Sequence, residues 1–428
     1  MNCSITYHLK LINQILIILF TLSIRSSFAL EENINFKLVK STVVETNFTY
    51  LDVKYFKSNL SNSLLIDQSL NEKVFFTEKN KDRFYELLLA NNKINILNNF
   101  ILIPTDYGSK KITKNKIVNI KFSQFDPNIL YLSVVTTFES SNPCEVLLLY
   151  KYDISNKKFT HLFESKPCAV NAMEDIEAKI SDSKNYIFLS SGNILLDNYH
   201  VKFAPQRLMS DSCVTIDDYD KCLESTNLYG KVIRINKNNY KSEIISTGNR
   251  RPQGIIWDYE EQRLFLTDHG PRGGDEINLI KKNKNYGWPY SSIGIPYTKE
   301  QKKINLENFN GSYNALNYPS SIKFEDPIYS FVPSIGISDI GKNFINGDFD
   351  IWGNNFLIGS LKDRSVYSVN ISSSSQVKYA EKIYIGERIR NISTSKKNIL
   401  LSTDNGSIIV LKRNFEKELN GAFPSYSP

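Results

Sequence analysis

A short phrase recurs six times along this chain: a few turn-forming residues, an apolar triplet and then a small residue. The copies are Val74–Thr77, Leu130–Ser133, Ile187–Ser190, Leu264–Thr267, Phe356–Gly359 and Ile399–Ser402. Their first residues are separated by 43 to 92 positions. Short β-type runs at intervals of tens of residues are typical of stacked or radially arranged β units. The repeat therefore predicts an all-β, six-bladed β-propeller, with a large β-sandwich protein as the alternative.

Most copies follow another short apolar run and a polar turn. We predict strands at Ile120–Phe122, Ile255–Trp257 and Asp350–Trp352, each before such a turn. After the last copy, Asp404-Asn405-Gly406 precedes the β-rich run Ser407–Leu411. Asn-Gly between two such runs indicates a β-hairpin.

The composition is that of a mildly basic globular protein. The 428 residues are 41% hydrophobic, which excludes a disordered or collagen-like chain. The net charge is +7, and the charges are mostly interspersed along the chain. Because no strongly basic stretch stands out, we expect no nucleic-acid partner.

The first 29 residues have the pattern of a secretory signal peptide. Lys10 precedes the apolar run 11–24, and Ser27-Phe28-Ala29 places small residues before a cut near Ala29. A retained anchor is the alternative, but the run is shorter than the ~20 residues of a spanning helix. We therefore predict a signal peptide at 1–29, a single propeller domain at 30–428 and no integral membrane span in the mature chain. The protein would be periplasmic or secreted.

Four cysteines remain after removal of that segment: Cys144, Cys168, Cys213 and Cys222. In an exported chain an even number suggests disulfides, here with three possible pairings. Cys144 and Cys168 lie at the open end of a predicted hairpin, and the other two close a short polar loop. We expect the pairs 144–168 and 213–222. A thiol metal site is the alternative, although no CxxC pair occurs.

A loop rich in glycine and proline follows the predicted strand Arg263–Thr267. It reads Asp-His-Gly-Pro-Arg-Gly-Gly-Asp-Glu over residues 268–276. Such a loop exposes backbone carbonyls, and Asp275 and Glu276 add carboxylates, which are ligands suited to Ca²⁺. An ordinary turn with a solvated acid pair is the alternative.

This region resembles the soluble quinoprotein glucose/sorbosone (aldose sugar) dehydrogenases. The resemblance rests on RRPQG at 250–254, DHGPRGGDEINLI at 268–280 and NYGWP at 285–289. Weaker similarities occur at 229–236, 359–362 and 387–390 and extend the resemblance to roughly residues 115–412.

The resemblance implies pyrroloquinoline quinone (PQQ) bound across the mouth of a six-bladed propeller. Calcium would bridge the cofactor and the carbonyls of Gly270 and Pro271 and act as a Lewis acid. Glu276 and the backbone of Tyr286 match a second calcium site. Cationic and amide side chains would hold the cofactor, with Arg250 near its reacting oxygen. The matched positions are Arg250, Arg251, Gln253, Lys362, Arg388 and Arg390.

Three departures from the family pattern concern catalysis. Asp175 stands where the resemblance implies a histidine base, next to Glu174. An ordinary Asp has a pKa of ~3.9 against ~6.5 for His, so it is the weaker base near neutral pH. Arg251 replaces an Asn of the family motif, and Asn391 replaces an Asp.

Three functions follow from these residues. The first is PQQ- and Ca²⁺-dependent oxidation of an aldose sugar to its lactone, with Asp175 and Arg250 as catalytic residues and an external electron acceptor. The second is a propeller of weakened or lost activity that binds a sugar or a protein partner. The third is a calcium-dependent lactonase.

Overall fold

The structure, a computed structural model, describes nine ranges of the chain. They are 34–90, 92–97, 100–108, 110–139, 145–165, 178–192, 229–288, 291–294 and 324–419. Residues 1–29, the four cysteines and the acids Glu174 and Asp175 lie outside these ranges, so the predictions made for them stay predictions. Within the described ranges, no helix has the length and apolar character needed to span a bilayer.

The first fourteen strands come from residues 36–191. They are β1 (Phe36–Glu45), β2 (Tyr50–Ser58), β3 (Leu64–Gln68), β4 (Val74–Glu78), β5 (Arg83–Ala90), β6 (Lys93–Ile96), β7 (Ile101–Leu102), β8 (Asp106–Tyr107), β9 (Lys110–Phe122), β10 (Ile129–Phe138), β11 (Glu145–Asp153), β12 (Lys158–Glu164), β13 (Ala178–Asp182) and β14 (Tyr186–Ser191).

The other strands of the described ranges follow from residue 231. They are β15 (Lys231–Asn236), β16 (Ser242–Thr247), β17 (Pro252–Asp258), β18 (Arg263–Asp268), β19 (Asp275–Ile280), β20 (Lys284–Asn285), β21 (Tyr329–Phe331), β22 (Ile337–Lys342), β23 (Phe356–Ser360), β24 (Ser365–Ile371), β25 (Val377–Tyr384), β26 (Ile389–Thr394), β27 (Ile399–Thr403) and β28 (Ser407–Arg413). A short helix, α1 (Phe415–Leu419), follows them.

These strands form six sheets, which are the six blades of a β-propeller. Blade 1 is β3-β4-β5-β6 with β7 on β5, blade 2 is β8 to β12, and blade 3 is β13 to β16 with β20. Blade 4 is β17-β18-β19-β21, blade 5 is β22 to β25, and blade 6 is β26-β27-β28-β2-β1. The innermost strands β3, β9, β13, β17, β22 and β26 contact one another in a closed circle. The predicted fold is confirmed.

Blade 6 closes the ring with strands from both parts of the chain. Strand β2 pairs antiparallel with β28, from Leu51 opposite Arg413 to Lys57 opposite Ser407. Strand β1 then pairs with the outer edge of β2. The closure is therefore held by backbone hydrogen bonds between residues about 350 positions apart in sequence.

Polar side chains tie neighbouring inner strands together around the axis. Each accepts a backbone N–H from the next blade, which would otherwise be buried without a partner. The bonds run to Asp67 from Phe122 (2.7 Å), to Asn119 from Ile180 (3.2 Å), to Ser181 from Trp257 (2.8 Å), to Asp339 from Ile392 (3.0 Å) and to Asn391 from Ile66 (2.8 Å).

The space between adjacent blades is filled by apolar side chains. Between blades 4 and 5, for example, Phe265 and Phe356 pack edge to face with ring centroids 4.9 Å apart. Both rings are fully buried, and burial of an aromatic side chain of this size contributes about 2 to 3 kcal/mol. The apolar triplets of the repeated phrase supply many of these contacts.

All six copies of the repeated phrase lie on the second strand of a blade: β4, β10, β14, β18, β23 and β27. One strand prediction is wrong. Asp350–Trp352 is a single 3-10 turn, closed by a hydrogen bond from Gly353 N to Asp350 O (2.7 Å). The turn buries Trp352 against Phe349, with ring centroids 5.5 Å apart, so the apolar residue serves packing rather than a sheet. The inner strand of blade 5 is Ile337–Lys342 instead.

Candidate functional site

The N-terminal ends of the inner strands open onto one face of the ring. We call the loops of this face the upper mouth; it comprises residues 250–251, 269–274, 332–336, 361–364, 385–390 and 404–406. Hydrogen bonds join these loops in sequence around the axis. They are His269 N to Arg251 O (3.0 Å), Gly273 N to Ser334 Oγ (2.9 Å), Lys362 N to Ile335 O (3.0 Å), Arg388 Nη1 to Leu361 O (3.4 Å) and Arg388 Nε to Asp404 Oδ2 (2.9 Å).

A narrow cleft, open to solvent, lies beside the 268–276 loop. Four residues singled out from the sequence line it together: Arg250, Gly270, Glu276 and Tyr286. The sequence spacing of these four residues does not predict that they lie together, because they come from two loops and two strand ends. The structure thus brings one half of the predicted site to a single place.

Arg250 is held in this cleft by contacts on several sides. Its Nη1 donates to the carbonyl of His269 (2.6 Å), and its guanidinium lies over the ring of Trp288, 5.1 Å from the centroid. Its backbone N–H, like that of Arg251, donates to the buried carboxylate of Asp268 (2.8 and 2.5 Å). Burial raises the pKa of Asp268 to about 6, although both backbone N–H groups and the charge of Arg250 act in the opposite direction.

The 268–276 loop owes its shape to a glycine and a buried acid. A Cβ on Gly270 would lie 1.8 Å from the carbonyl oxygen of Gly274, so no larger residue fits this turn. The carboxylate of Asp275 is fully buried and accepts the N–H of Gly270 (3.2 Å) and that of Ile337 (2.8 Å). Asp275 therefore fastens the loop to the inner strand of blade 5.

The two carbonyls predicted to bind calcium accept hydrogen bonds within the protein. The oxygen of Gly270 accepts Nδ1–H of His269 (2.9 Å), and that of Pro271 accepts Ser334 Oγ (3.2 Å) and Gly274 N (3.3 Å). Burial lowers the pKa of His269, and because a carbonyl oxygen can only accept, the hydrogen bond to Gly270 O places a proton on Nδ1. A carbonyl oxygen has two lone pairs, so Gly270 O can bind calcium while it accepts this hydrogen bond, whereas Pro271 O would have to release one of its two.

Glu276 is the group in the cleft best suited to a cation. Burial, and next the charge of Asp268, raise the pKa of its carboxyl to about 8. Asn278 Nδ2 donates to it (3.1 Å), while the buried Oδ1 of Asn278 has no hydrogen-bond partner among the described residues. Carboxylate and amide oxygens are hard donors, and a divalent cation would lower the cost of ionising buried acids. The donor set therefore fits Ca²⁺.

Other ligands for that cation would have to be backbone or single side-chain groups. Across the parts of the chain that the structure covers, no three His, Cys, Asp or Glu side chains are grouped so that they could hold a metal ion. Tyr286 lies next to the cleft, where its hydroxyl donates to the carbonyl of Leu279 and its backbone N–H donates to Thr247 O (2.9 Å). Its side chain is thus engaged elsewhere, which leaves the predicted backbone role open.

Three cations occupy the other side of the upper mouth. Lys362 is exposed and donates to Ser334 O (3.1 Å). Arg388 and Arg390 both donate from Nε to the carboxylate of Asp404, at 2.9 and 2.7 Å. Burial acts to raise the pKa of Asp404, but Arg390 and Arg388 outweigh it and the pKa is lowered. The structure thus places three of the residues matched to cofactor binding at the same side of the mouth.

The two remaining predicted residues, Gln253 and Arg251, make fewer side-chain contacts to the loops of the upper mouth. Gln253 is buried and donates from Nε2 to the carbonyls of the two preceding residues, Arg251 (3.3 Å) and Pro252 (3.4 Å). Arg251 is half-buried and adds to the positive field that lowers the pKa of His269.

Sequence reasoning missed three residues that shape this face: Ser334, Trp288 and Asp404. Trp288 could have been found, because it stands inside the NYGWP motif. In the sequence, Asp404 indicates only a hairpin turn, and nothing around Ser334 signals its role.

The opposite end of the ring carries a larger cleft, also open to solvent. Its charged groups are already paired with one another. Lys121 contacts Asp67 (3.4 Å), and Lys342 contacts Asp258 and Glu260. The upper mouth is the stronger candidate site, because it is where the motif residues meet.

Comparison with known proteins agrees with this geometry. Residues 219–411 match the profile of the family described as Glucose / Sorbosone dehydrogenase, and this match spans the upper-mouth loops from 250 to 406. Residues 219–411 belong to the glucose/sorbosone dehydrogenase family. The resemblance inferred from RRPQG, DHGPRGGDEINLI and NYGWP is thereby confirmed for this part of the chain.

Relatives of the glucose/sorbosone dehydrogenase region carry related names. The aldose sugar dehydrogenase YliI of Escherichia coli is 29% identical over 249 residues, which are 54% of this chain and 58% of that protein. The quinoprotein glucose dehydrogenase B of Acinetobacter calcoaceticus is 26% identical over 208 residues, 36% of this chain and 42% of that protein. The chain thus spans about half the length of these relatives.

The apo crystal structure of the soluble aldose sugar dehydrogenase from E. coli has the same fold. It superimposes with a TM-score of 0.58 at 20% identity and covers 89% of this chain and 99% of that one. At this identity the likeness supports the propeller architecture around the glucose/sorbosone dehydrogenase region.

Proposed function

We propose that this protein is a PQQ-dependent aldose sugar dehydrogenase, with residues 30–428 as one propeller domain. The observation that carries the proposal is the joining, at one mouth of the ring, of the 268–276 loop with the cations Lys362, Arg388 and Arg390. These residues are separated in sequence by up to about 120 positions and meet only through the fold. The names of the relatives supply the chemistry: an aldose sugar dehydrogenase and a quinoprotein.

The residues of the upper mouth fit a ligand with several carboxylates. Guanidinium and ammonium groups form charge-assisted hydrogen bonds with carboxylates, which are roughly twice as strong as neutral ones. Lys362, Arg388 and Arg390 would hold the acidic groups of PQQ, and Arg250, Arg251 and Gln253 would face its other side. When bound, PQQ supplies a quinone that accepts a hydride from C1 of the aldose, which leaves as the lactone.

We propose that calcium binds at the same mouth. The raised pKa of Glu276 and the unpartnered Oδ1 of Asn278 support a cation near the cleft. Gly270 and Pro271 would contribute carbonyl oxygens to a calcium ion beside the cofactor, and Glu276 and the Tyr286 backbone would contribute to a second ion. Calcium beside the quinone would act as a Lewis acid.

The proton of the C1 hydroxyl needs a base on this chain. Asp175 is the proposed base and Glu174 the neighbouring substitute; both lie outside the described residues. The rest of the cycle needs an external electron acceptor. Export by the 1–29 segment to the periplasm or outside the cell, and the disulfides 144–168 and 213–222, belong to the same proposal.

Reconstitution tests the proposal most directly. Purified protein is stripped with a chelator, titrated with PQQ in the presence and absence of Ca²⁺, and followed by absorbance and by dye reduction with a panel of aldoses. Saturable PQQ uptake at one equivalent with aldose-dependent dye reduction is expected. Absence of PQQ uptake by folded protein would refute it.

Two variants separate catalysis from binding. Asp175→Ala is expected to abolish dye reduction with little change in PQQ affinity, whereas Asp175→His should raise activity. Sugar binding without turnover in the wild type would favour a non-catalytic propeller. Lactone hydrolysis with calcium alone would favour the lactonase.

A further inference from the structure

One carboxylate lies between the two arginines of the upper mouth. Asp404 Oδ2 accepts Arg388 Nε at 2.9 Å, and Oδ1 accepts Arg390 Nε at 2.7 Å. The Asp404 side chain is one-fifth exposed, and Arg390 is 15% exposed. Because the acid bonds the Nε atom of each guanidinium, it restrains the plane as well as the position of both groups.

Asp404 is itself fixed from two directions. Ser63 Oγ of the blade 1 loop donates to Oδ1 (3.0 Å), and the backbone N–H of Asp404 donates to Arg388 O (3.3 Å). The hairpin turn that carries it ends at Gly406, where φ is +78° and a Cβ would lie 2.2 Å from the carbonyl oxygen of Leu60. The carboxylate is therefore held by the fold rather than by the arginines.

We propose that Asp404 is a positioning residue that holds Arg388 and Arg390 in the orientation that binds an anionic group at the upper mouth. The identity of that anion, the carboxylates of PQQ, rests on the proposed function. The arrangement of the two arginines around Asp404 does not. Long arginine side chains that are already ordered lose less conformational freedom on binding a ligand, so preorganisation raises affinity.

Charge alone gives the opposite expectation. Asp404 is an acid near a site for an anion, so its removal leaves a more positive mouth and should strengthen binding if charge dominates. If positioning dominates, removal weakens binding. We expect Asp404→Asn to weaken PQQ binding by about 10- to 100-fold, as loss of an outer partner does at metal sites. The sign of the change therefore distinguishes the two effects.

The first measurement is a PQQ titration, with calcium present, of wild type, Asp404→Asn, Asp404→Glu and Glu387→Gln. Glu387 is the matched control, because it lies beside Arg388 but its carboxylate accepts Asn405 Nδ2 (3.0 Å). We expect Asp404→Glu to recover part of the affinity and Glu387→Gln to bind like wild type. In an Arg388→Gln/Arg390→Gln background, Asp404→Asn should have no further effect. Equal or tighter binding by Asp404→Asn would overturn the proposal.

The second measurement needs no cofactor. In ¹⁵N-labelled protein, the Nε–H signals of Arg388 and Arg390 should exchange slowly in wild type and in Glu387→Gln, and become fast in Asp404→Asn. If wild type binds no PQQ, the proposed function fails, and unchanged signals in Asp404→Asn would still refute the positioning role. Should Asp404→Asn not fold, Ser63→Ala provides the test. We expect about 2- to 10-fold weaker binding, the worth of one hydrogen bond, and unchanged affinity would count against the proposal.

Discussion

The buried ion pair between Lys342 and Asp258 should contribute far more to the free energy of unfolding than an ion pair at the surface. Asp258 is fully buried, Lys342 is 5% exposed, and the ammonium also contacts Glu260 (2.6 Å). Arg263 is the second cation on Asp258, at 2.9 Å. The charges thus meet where water screens them less than at the surface.

The magnitude follows from two independent figures. Unit charges 4 Å apart at an effective dielectric constant of 20 attract by about 4 kcal/mol. Removing one partner of a buried pair typically costs about 3 to 5 kcal/mol, because the other charge stays buried. Because Arg263 remains beside Asp258 and Glu260 remains beside Lys342, we expect Lys342→Met and Asp258→Asn each to lower the free energy of unfolding by at most about 3 kcal/mol. The double variant should lose at least about 2 kcal/mol less than the sum of the two.

Urea unfolding, followed by tryptophan fluorescence at pH 7, measures all four proteins of this cycle. The matched control is the surface pair Lys111 and Glu139, whose atoms lie 2.9 Å apart but whose side chains are 73% and 56% exposed. That pair should couple by at most about 1 kcal/mol. A coupling energy for Lys342 and Asp258 as small as that of the surface pair would refute the reasoning.

The same pair predicts a pH dependence. Burial acts to raise the pKa of Asp258, but Lys342 and Arg263 outweigh it, so the folded pKa is lowered. A carboxyl whose pKa is lower in the folded state stabilises the fold at pH values above its pKa in the unfolded state. This stabilisation is lost as the pH falls through the pKa in the folded state. Coupling should therefore be complete at pH 7 and decline below about pH 4. Coupling that grows on acidification would contradict this assignment.

Three further outcomes are expected. Gly270→Ala should lower the free energy of unfolding by about 1 to 3 kcal/mol, since the added Cβ would overlap Gly274 O. Gly192→Ala is the control and should cost much less, because an added Cβ there would have its nearest atom at 3.4 Å. Equal losses in urea unfolding would contradict the loop geometry. Burial raises the pKa of Glu381, whose Oε2 has no hydrogen-bond partner among the described residues. Ionisation of Glu381 therefore lowers the stability of the fold as the pH rises above its pKa in the unfolded chain. Glu381→Gln should stabilise the protein at pH 7 and not at pH 4, and stabilisation at pH 4 alone would contradict the raised pKa. Free calcium at 100 times its dissociation constant should raise the unfolding free energy of wild type by about 2.7 kcal/mol, and Glu276→Gln should reduce that gain; a calorimetric scan with and without chelator measures both.

The architecture was largely readable from the sequence, because the three innermost consecutive strands of every blade follow one another along the chain. Each second strand needs a short apolar run bounded by turns, and the sequence alone shows all six runs. The one false strand, Asp350–Trp352, shows the limit of that signal. Its apolar residues are buried in a turn, and a run of three residues does not distinguish the two cases.

The sequence predicted the candidate site only in part, because half of the site depends on which loops contact one another in the folded protein. The motifs identified Arg250, Glu276 and the late arginines by type and order. They did not reveal that the oxygens of Gly270 and Pro271 accept hydrogen bonds within the protein, nor that Asp404 joins Arg388 to Arg390. Those facts depend on side-chain directions set by neighbouring blades.

The sequence by itself determined the number of blades, the positions of their second strands and the resemblance of roughly residues 115–412 to the family whose profile matches residues 219–411. These properties depend on residue order within a few dozen positions. The tertiary structure decided which blades meet, how residues 51–57 close the ring on 407–413, and which charges stand side by side at the upper mouth. Contacts between distant segments form only when all six blades are packed in register around one axis, so no local pattern encodes them.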